Sequence, residues 1–226
     1  GRLYDYIARY LRKFDAWNVK TVLRGIYSDA DRDAIDADLT LAGEFSDERI
    51  ETLLAADSIE GAVDALDDTI FGDELAQALD DYDETGTLVP LENAADRAFY
   101  ETLLKGLPDP ATVERESAVG LYLEFLRAEI DFRNLRNAVR IAHSGSDLDP
   151  SEYYIDGGRL FESDEVRQLA GNLDQLVDHI RESAYGDNLE EALGALTEAE
   201  SLIEFSNALD AALMEYGDRL SRRRHV

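Results

Sequence analysis

Asp15-Ala16-Trp17-Asn18-Val19-Lys20-Thr21-Val22-Leu23-Arg24 returns at 131–140 as Asp131-Phe132-Arg133-Asn134-Leu135-Arg136-Asn137-Ala138-Val139-Arg140. The shared pattern is Asp-x-x-Asn-[Val/Leu]-[Lys/Arg]-x-[Val/Ala]-[Leu/Val]-Arg, and its return at an offset of about 115 residues is the mark of an internal repeat. Two more matches follow in the same order. Gly43 ahead of Ser46-Asp47-Glu48 stands against Gly158 ahead of Ser163-Asp164-Glu165, an acid-opened helix after a glycine turn. Phe71-Gly72-Asp73-Glu74-Leu75 with Leu79 stands against Tyr185-Gly186-Asp187-Asn188-Leu189 with Leu193. One such match could come from acidic helical composition alone, whereas three in register are moderately specific. They predict an all-α fold of two tandem copies of a helical repeat unit, each a long helix followed by short ones, over 1–110 and 111–226.

The hydrophobic periodicity agrees with this division. Leu3, Ile7, Tyr10, Phe14 and Trp17 alternate spacings of four and three, which predicts one face of a single long helix ending near Gly25–Ser28. From Asp29 to Leu79 only short periodic stretches occur, read as small stacked helices. Pro90 opens a further helix that runs through Phe99 to Leu104, and Gly106, Pro108 and Pro110 then break the chain. A second long helix restarts at Thr112, carries Val119, Tyr122, Leu126, Ile130, Leu135 and Val139, and ends at Ser144–Gly145. The last helix spans about Glu198 to Leu220. Strand-like alternation is nearly absent.

Composition narrows the function classes. Lys and Arg total 22 against 50 Asp and Glu, a formal net charge of −28. A field of that sign repels polyanions, so neither nucleic acid nor an anionic membrane surface is an expected partner. Self-repulsion on this scale also costs stability unless molar salt shortens the Debye length to roughly 3 Å. With no cysteine there are no disulfides, thiolate ligands or thiol nucleophiles. No apolar run approaches the ~18 residues of a membrane span, and the first residues lack the basic-then-apolar pattern of a signal peptide, so a cytoplasmic location is expected.

Few residues form a pattern with chemical meaning. Asp81, Asp83, Thr85 and Glu92 fall on a calcium-loop template, with Gly86 at its glycine position and Leu88 at its apolar position. Thr85 offers only a neutral oxygen, Val89 offers none, and the stretch after Leu193 has no counterpart. The competing reading is a helix–turn–helix with Thr85-Gly86 as the turn and Glu92 in the first turn of the next helix. His143, His179 and His225 share no ligand spacing. Gly157-Gly158 reads as a turn, since no phosphate-loop pattern surrounds it. No catalytic residue, cofactor or metal is therefore expected.

In the repeated motif the structural or partner-facing candidates are Asn18, Lys20 and Arg24 in the first copy and Asn134, Arg136 and Arg140 in the second. Asn18 and Lys20 diverge by about 200° around a helix, and Asn18 and Arg24 also lie on different faces, so they cannot hold one ligand together. The expectation is that each asparagine satisfies backbone groups of a neighbouring segment while each basic residue pairs with acids of its own unit; direct contact with a partner is the alternative. Basic residues concentrate on the long helices, with Arg9, Arg12, Lys20 and Arg24 on the first and Arg127, Arg133, Arg136 and Arg140 on the second. Arg219 and Arg222–Arg224 crowd the end.

Tyr10-Leu11-Arg12-Lys13-Phe14-Asp15-Ala16-Trp17-Asn18-Val19-Lys20-Thr21-Val22-Leu23-Arg24-Gly25 resembles the signature of the C subunit of archaeal A-type ATP synthases, the counterpart of the d subunit of V-type ATPases. Leu88-Val89-Pro90-Leu91-Glu92 leading to Asp96-Arg97-Ala98-Phe99-Tyr100 extends the resemblance, which covers essentially the whole chain. Its scarce lysines (Lys13, Lys20 and Lys105) and dispersed acids resemble the proteins of halophilic archaea. The resemblance implies three related helical units in a funnel-like assembly. That body would sit on the membrane proteolipid ring at the cytoplasmic face, receive the axle subunits of the central stalk, and transmit rotation without chemistry of its own. Two units are found where the family has three, so a fragment is expected. A single-loop calcium-binding helical protein and a helical-repeat scaffold with unrelated partners are the alternatives.

Overall fold

The computed structural model describes residues 1–144, 147–198 and 202–224, and every regular element among them is helical. The chain divides into two units, Gly1–Leu107 and Pro108–Val226.

The first unit opens with α1 (Arg2–Tyr10) and α2 (Lys13–Tyr27), then three short helices, α3 (Arg32–Ala37), α4 (Asp47–Leu54) and α5 (Ile59–Asp64), and closes with α6 (Gly72–Thr85) and α7 (Val89–Lys105). The single helix expected from Leu3 to Trp17 is broken. The amides of Leu11, Arg12 and Phe14 bond to carbonyls three residues back, a tighter winding that ends α1 and lets Arg12 reach Glu44 at 2.8 Å. The apolar stripe read from the spacing is consequently not the core face. Ile7 is 44% exposed and Trp17 48%, while Ala16, Val19, Val22 and Leu23 of α2 are buried.

Local chemistry sets the helix ends. The Ser46 and Ser58 hydroxyls accept the amides of Arg49 and Gly61 at 3.1 and 3.0 Å, capping α4 and α5. Gly86 ends α6 at φ +68°, a conformation open to glycine without strain. Pro90 sits in the first turn of α7, where its missing amide costs nothing. α7 packs on both α2 and α6 and is buried nearly all round, burying Glu92, Asn93 and Asp96 along with its apolar residues.

The second unit begins with a 3-10 turn at Pro110–Thr112 and α8 (Ala118–Ser144), continuous over 27 residues. The helix therefore begins six residues beyond the Thr112 expected from the sequence; Asp109 caps the 3-10 turn instead, through the Ala111 amide at 2.9 Å. A 3-10 turn at Pro150–Tyr153 follows, then α9 (Val166–Ala170), α10 (Leu173–Glu182), α11 (Glu190–Glu198) and α12 (Leu202–Arg223). α8 packs on α9 and α12, and α12 packs on α11. Their core joins Phe132, Leu135 and Val139 of α8 to Leu160, Ile180, Tyr185, Leu193, Phe205 and Leu209. Burying each such leucine or phenylalanine contributes roughly 1.5–3 kcal/mol, so this cluster supplies most of the drive that holds the short helices to the long one.

Candidate functional site

Each unit has a buried aspartate on its long helix that holds a loop. In the first unit Asp15 accepts the amides of Glu44 and Phe45 at 2.9 and 3.0 Å. In the second, Asp131 accepts those of Arg159 and Leu160 at 2.7 and 2.9 Å. Gly43 and Gly158 precede these amides, and a methyl group on either would lie on the aspartate carboxylate. Only glycine lets the loop backbone close to hydrogen-bonding distance. One turn along, Asn18 accepts the Thr40 amide at 2.8 Å and donates to the Thr40 carbonyl at 2.7 Å. Asn134 does both with Ile155, each at 2.9 Å. An asparagine amide is the one short side chain that satisfies a buried N–H and a C=O of the same residue in this way.

A third pair of features sits at the glycine-led helix. The Thr69 hydroxyl donates to the Leu66 carbonyl at 2.6 Å and accepts the Phe71 amide at 3.2 Å. Ser183 does the same between Ile180 and Tyr185 at 2.6 and 3.2 Å. Gly72 and Gly186 each lie against carbonyls of the preceding turn, where a Cβ would collide with backbone.

The basic candidates reach acids on the closing helix. Lys20 meets Asp96 at 2.8 Å with both side chains under a tenth exposed, and Arg24 meets Glu92 at 2.8 Å. The two contacts run in opposite order, 20 to 96 and 24 to 92, so α2 and α7 are antiparallel where they meet. In the second unit Arg136 pairs with Asp210 and also donates to the Ser206 carbonyl at 3.3 Å, and Arg140 keeps a contact of its own. Asp210 carries no motif of its own. For Asp96 the signal of its partner is the spacing: Glu92 and Asp96 lie four apart, as do Lys20 and Arg24, so one acidic and one basic pair each line a single helical face.

The calcium-loop residues are not in a loop. Asp81, Asp83 and Thr85 belong to the last turns of α6, the Thr85 hydroxyl donates to the Asp81 carbonyl at 2.7 Å, and Glu92 faces Arg24. A helix points successive side chains 100° apart and cannot wrap positions 1, 3 and 5 around one ion. Among the described residues no cluster of three or more His, Asp or Glu is placed to hold a metal. His179 stacks on Phe161 and its Nε2 lies 2.6 Å from the Leu160 carbonyl; His143 Nδ1 lies 3.0 Å from the Val139 carbonyl; His225 lies outside the described residues.

Burial dominates the electrostatics of the two aspartates. Desolvation pushes both carboxyls above their ordinary value of 3.8, opposed by the two backbone amides that each accepts. Asp131 also accepts the Tyr185 hydroxyl at 2.5 Å, and Tyr185 is pushed up by its own burial and by that carboxylate. Tyr154, whose hydroxyl donates to the Phe161 carbonyl at 2.8 Å, is pushed up to about 12, chiefly by burial. These groups position backbone: each hydrogen-bonds to a main-chain amide or carbonyl, or to a side chain that does.

The sequence profile of the ATP synthase (C/AC39) subunit family matches residues 1–226. The chain belongs to this family. It is 57% identical over 220 residues to a protein of Halorubrum lacusprofundi and 60% identical over 220 residues to one of Haloferax volcanii, each alignment covering 97% of this chain. A third relative, from Methanococcoides burtonii, is 29% identical over 211 residues, 92% of this chain. All three are named as the C subunit of an A-type ATP synthase. The chain spans 62% of the length of the first two and 56% of the third. No helix among the described residues of this family member is long and apolar enough to cross a membrane.

Proposed function

We propose that the chain acts as a non-catalytic central-stalk component of a proton- or sodium-translocating A-type ATP synthase, joining the axle subunits to the membrane proteolipid ring at the cytoplasmic face. The observation that carries this reading is the family match along the entire chain, together with relatives from salt-loving archaea that are named as the C subunit of the A-type enzyme. A part that transmits torque has to resist shear between its helices. The buried Lys20–Asp96 pair and the aspartate-held loops suit that task, because each ties a long helix to another segment through directional bonds. We also read the two units as copies of one helical module, supported by the paired bonds of Asp15 with Asp131, Asn18 with Asn134, and Thr69 with Ser183. The test is co-purification. A tagged full-length protein, expressed in a haloarchaeal host and extracted in molar salt, should bring down the axle subunits and the proteolipid ring; a protein that folds yet recovers neither overturns the reading.

A further inference from the structure

The second unit contains a cavity of about 200 Å³ whose wall includes Arg115, Arg127, Arg159, Glu124 and Leu123. Three arginines lining one small space stand out in a chain with 22 basic and 50 acidic residues. Several arginines here are matched to acids: Arg12 to Glu44, Arg32 to Glu51, Arg49 to Asp68, Arg181 to Glu190. Arg115 and Arg127 are different, since neither forms an ion pair among the described residues. The acid in the wall is already engaged. Glu124 is buried, accepts the Tyr216 hydroxyl at 3.0 Å, and is held by Arg223 at 3.1 Å. Arg159, which interacts with the Tyr185 hydroxyl, also lines the wall.

Local backbone builds this space. Gly120, in the first turn of α8, allows the carbonyls of Glu114 and Arg115 to pack where a Cβ would sit, which folds the 114–115 turn back against the helix and brings Arg115 to the wall that Arg127 lines. In the first unit the pocket that Glu44 lines carries Arg12 and Arg49, each paired with an acid, Glu44 and Asp68. Aligned on Asp15 and Asp131, Arg127 corresponds to Leu11; aligned on Gly43 and Gly158, Arg159 corresponds to Glu44, which is bound to Arg12.

We propose that this cavity is a binding site for a small oxyanion of the phosphate type. Guanidinium forks match phosphate oxygens two at a time, and a dianion answers the two arginines that have no acid of their own. The chain's negative field works against any anion at long range, but molar salt shortens that field to roughly 3 Å, within which the forks still act. Free phosphate and the phosphates of a nucleotide offer the same chemistry.

The test measures thermal midpoint and calorimetric binding of the 226-residue chain in molar KCl, titrated separately with inorganic phosphate, ATP, adenosine and additional KCl. Saturable stabilisation by phosphate and ATP, with none from adenosine or added chloride, supports a site for free phosphate; stabilisation by ATP alone supports one for nucleotide phosphates. The double variant Arg115→Gln/Arg127→Gln should weaken binding at least about tenfold, the loss expected for charge-assisted hydrogen bonds. Arg115→Gln alone, at an exposed residue ahead of α8, should weaken it several-fold at unchanged helicity. No saturable response beyond that of chloride overturns the proposal, as does undiminished binding by either variant.

Discussion

The two units solve the same problem with different polar groups. Asp15 and Asp131 hold their loops through the same pair of amide bonds, but only Asp131 has a third donor, because Tyr185 stands where the first unit has Phe71. At the repeated basic residues the balance is reversed. Lys20 and Arg24 meet Asp96 and Glu92, all but Arg24 deeply buried, whereas in the second unit the Arg136–Asp210 pair lies near solvent, with Asp210 65% exposed. The first unit thus buries the ion pair of its motif lysine between α2 and α7, whereas in the second the buried acid between long and closing helix is Glu124, held by Tyr216 and Arg223 of α12. Polar groups are needed at matching motif positions in both units, but different pairs supply the bond.

The contrast between the units is most vulnerable at Lys20. Lys20→Ala leaves Asp96 buried without its lysine, and a buried pair that loses one partner costs roughly 3–5 kcal/mol, so chemical denaturation in molar salt should show a loss of that order. The double replacement Lys20→Met/Asp96→Leu should recover much of it, since neither charge of this buried pair then remains. If Lys20→Ala unfolds no more easily than the parent, the buried pair is not what holds α7.

Gly43→Ala comes next. A Cβ there meets the Asp15 carboxylate and lies 3.0 Å from the Asp15 amide nitrogen, which is backbone and cannot give way. The loop has to retreat, and the expected loss is roughly 2–4 kcal/mol from overpacking plus weakened amide bonds. Amide exchange at Glu44 and Phe45 should accelerate in the variant, which a merely global destabilisation would not confine to those sites.

Tyr185→Phe makes the second unit like the first. Removing a hydrogen bond to a carboxylate costs about 1.5–3 kcal/mol, reduced here because two amides remain. Its pH dependence adds a second readout. A carboxyl held above its ordinary 3.8 in the folded chain binds its proton more tightly folded than unfolded, so its contribution is largest in acid and declines as pH rises from 3.8 through the raised value. Without the tyrosine hydroxyl the Asp131 carboxyl should rise further and this decline should steepen. Asp131→Asn should abolish it, as read from unfolding midpoints between about pH 4 and 7 at constant salt.

The smallest effect belongs to Arg136→Ala. A pair this open to solvent contributes about 0–1 kcal/mol, further screened by molar salt, so its loss should be a fraction of that at Lys20 although the two residues share a place in the motif. Equal losses at Lys20 and Arg136 would show that burial is not what separates the units.

Much of this is legible in the order of residues. The helical periods locate α2, α7, α8 and the final helix, and the glycine and proline signals locate the end of α2 and both ends of α7, because capping and backbone freedom are local properties; the start of α8 lies six residues past the one read. The partners of Asn18 and Lys20 are legible only as types, a backbone group and an acid. Their identities, Thr40 and Asp96, depend on which segments pack together. The reading of Leu3 to Trp17 as one helix fails for a related reason: spacing gives the faces of a helix but says nothing about the winding at Leu11–Arg12, where an ion pair from Arg12 to Glu44 accompanies the break. The calcium template fails because it reads residue types, and the same acids in the last turns of α6 point away from one another.

Helical class, acid-rich composition, family and paired motifs all follow from the amino-acid sequence, since composition, period and motif are one-dimensional properties. Which carboxylates are buried, that two glycines press against two aspartates, and that Arg115 and Arg127 share a cavity emerge only once the chain is folded. Burial and approach depend on which distant segments meet, and the energy of a charge depends on burial far more than on its place in the chain.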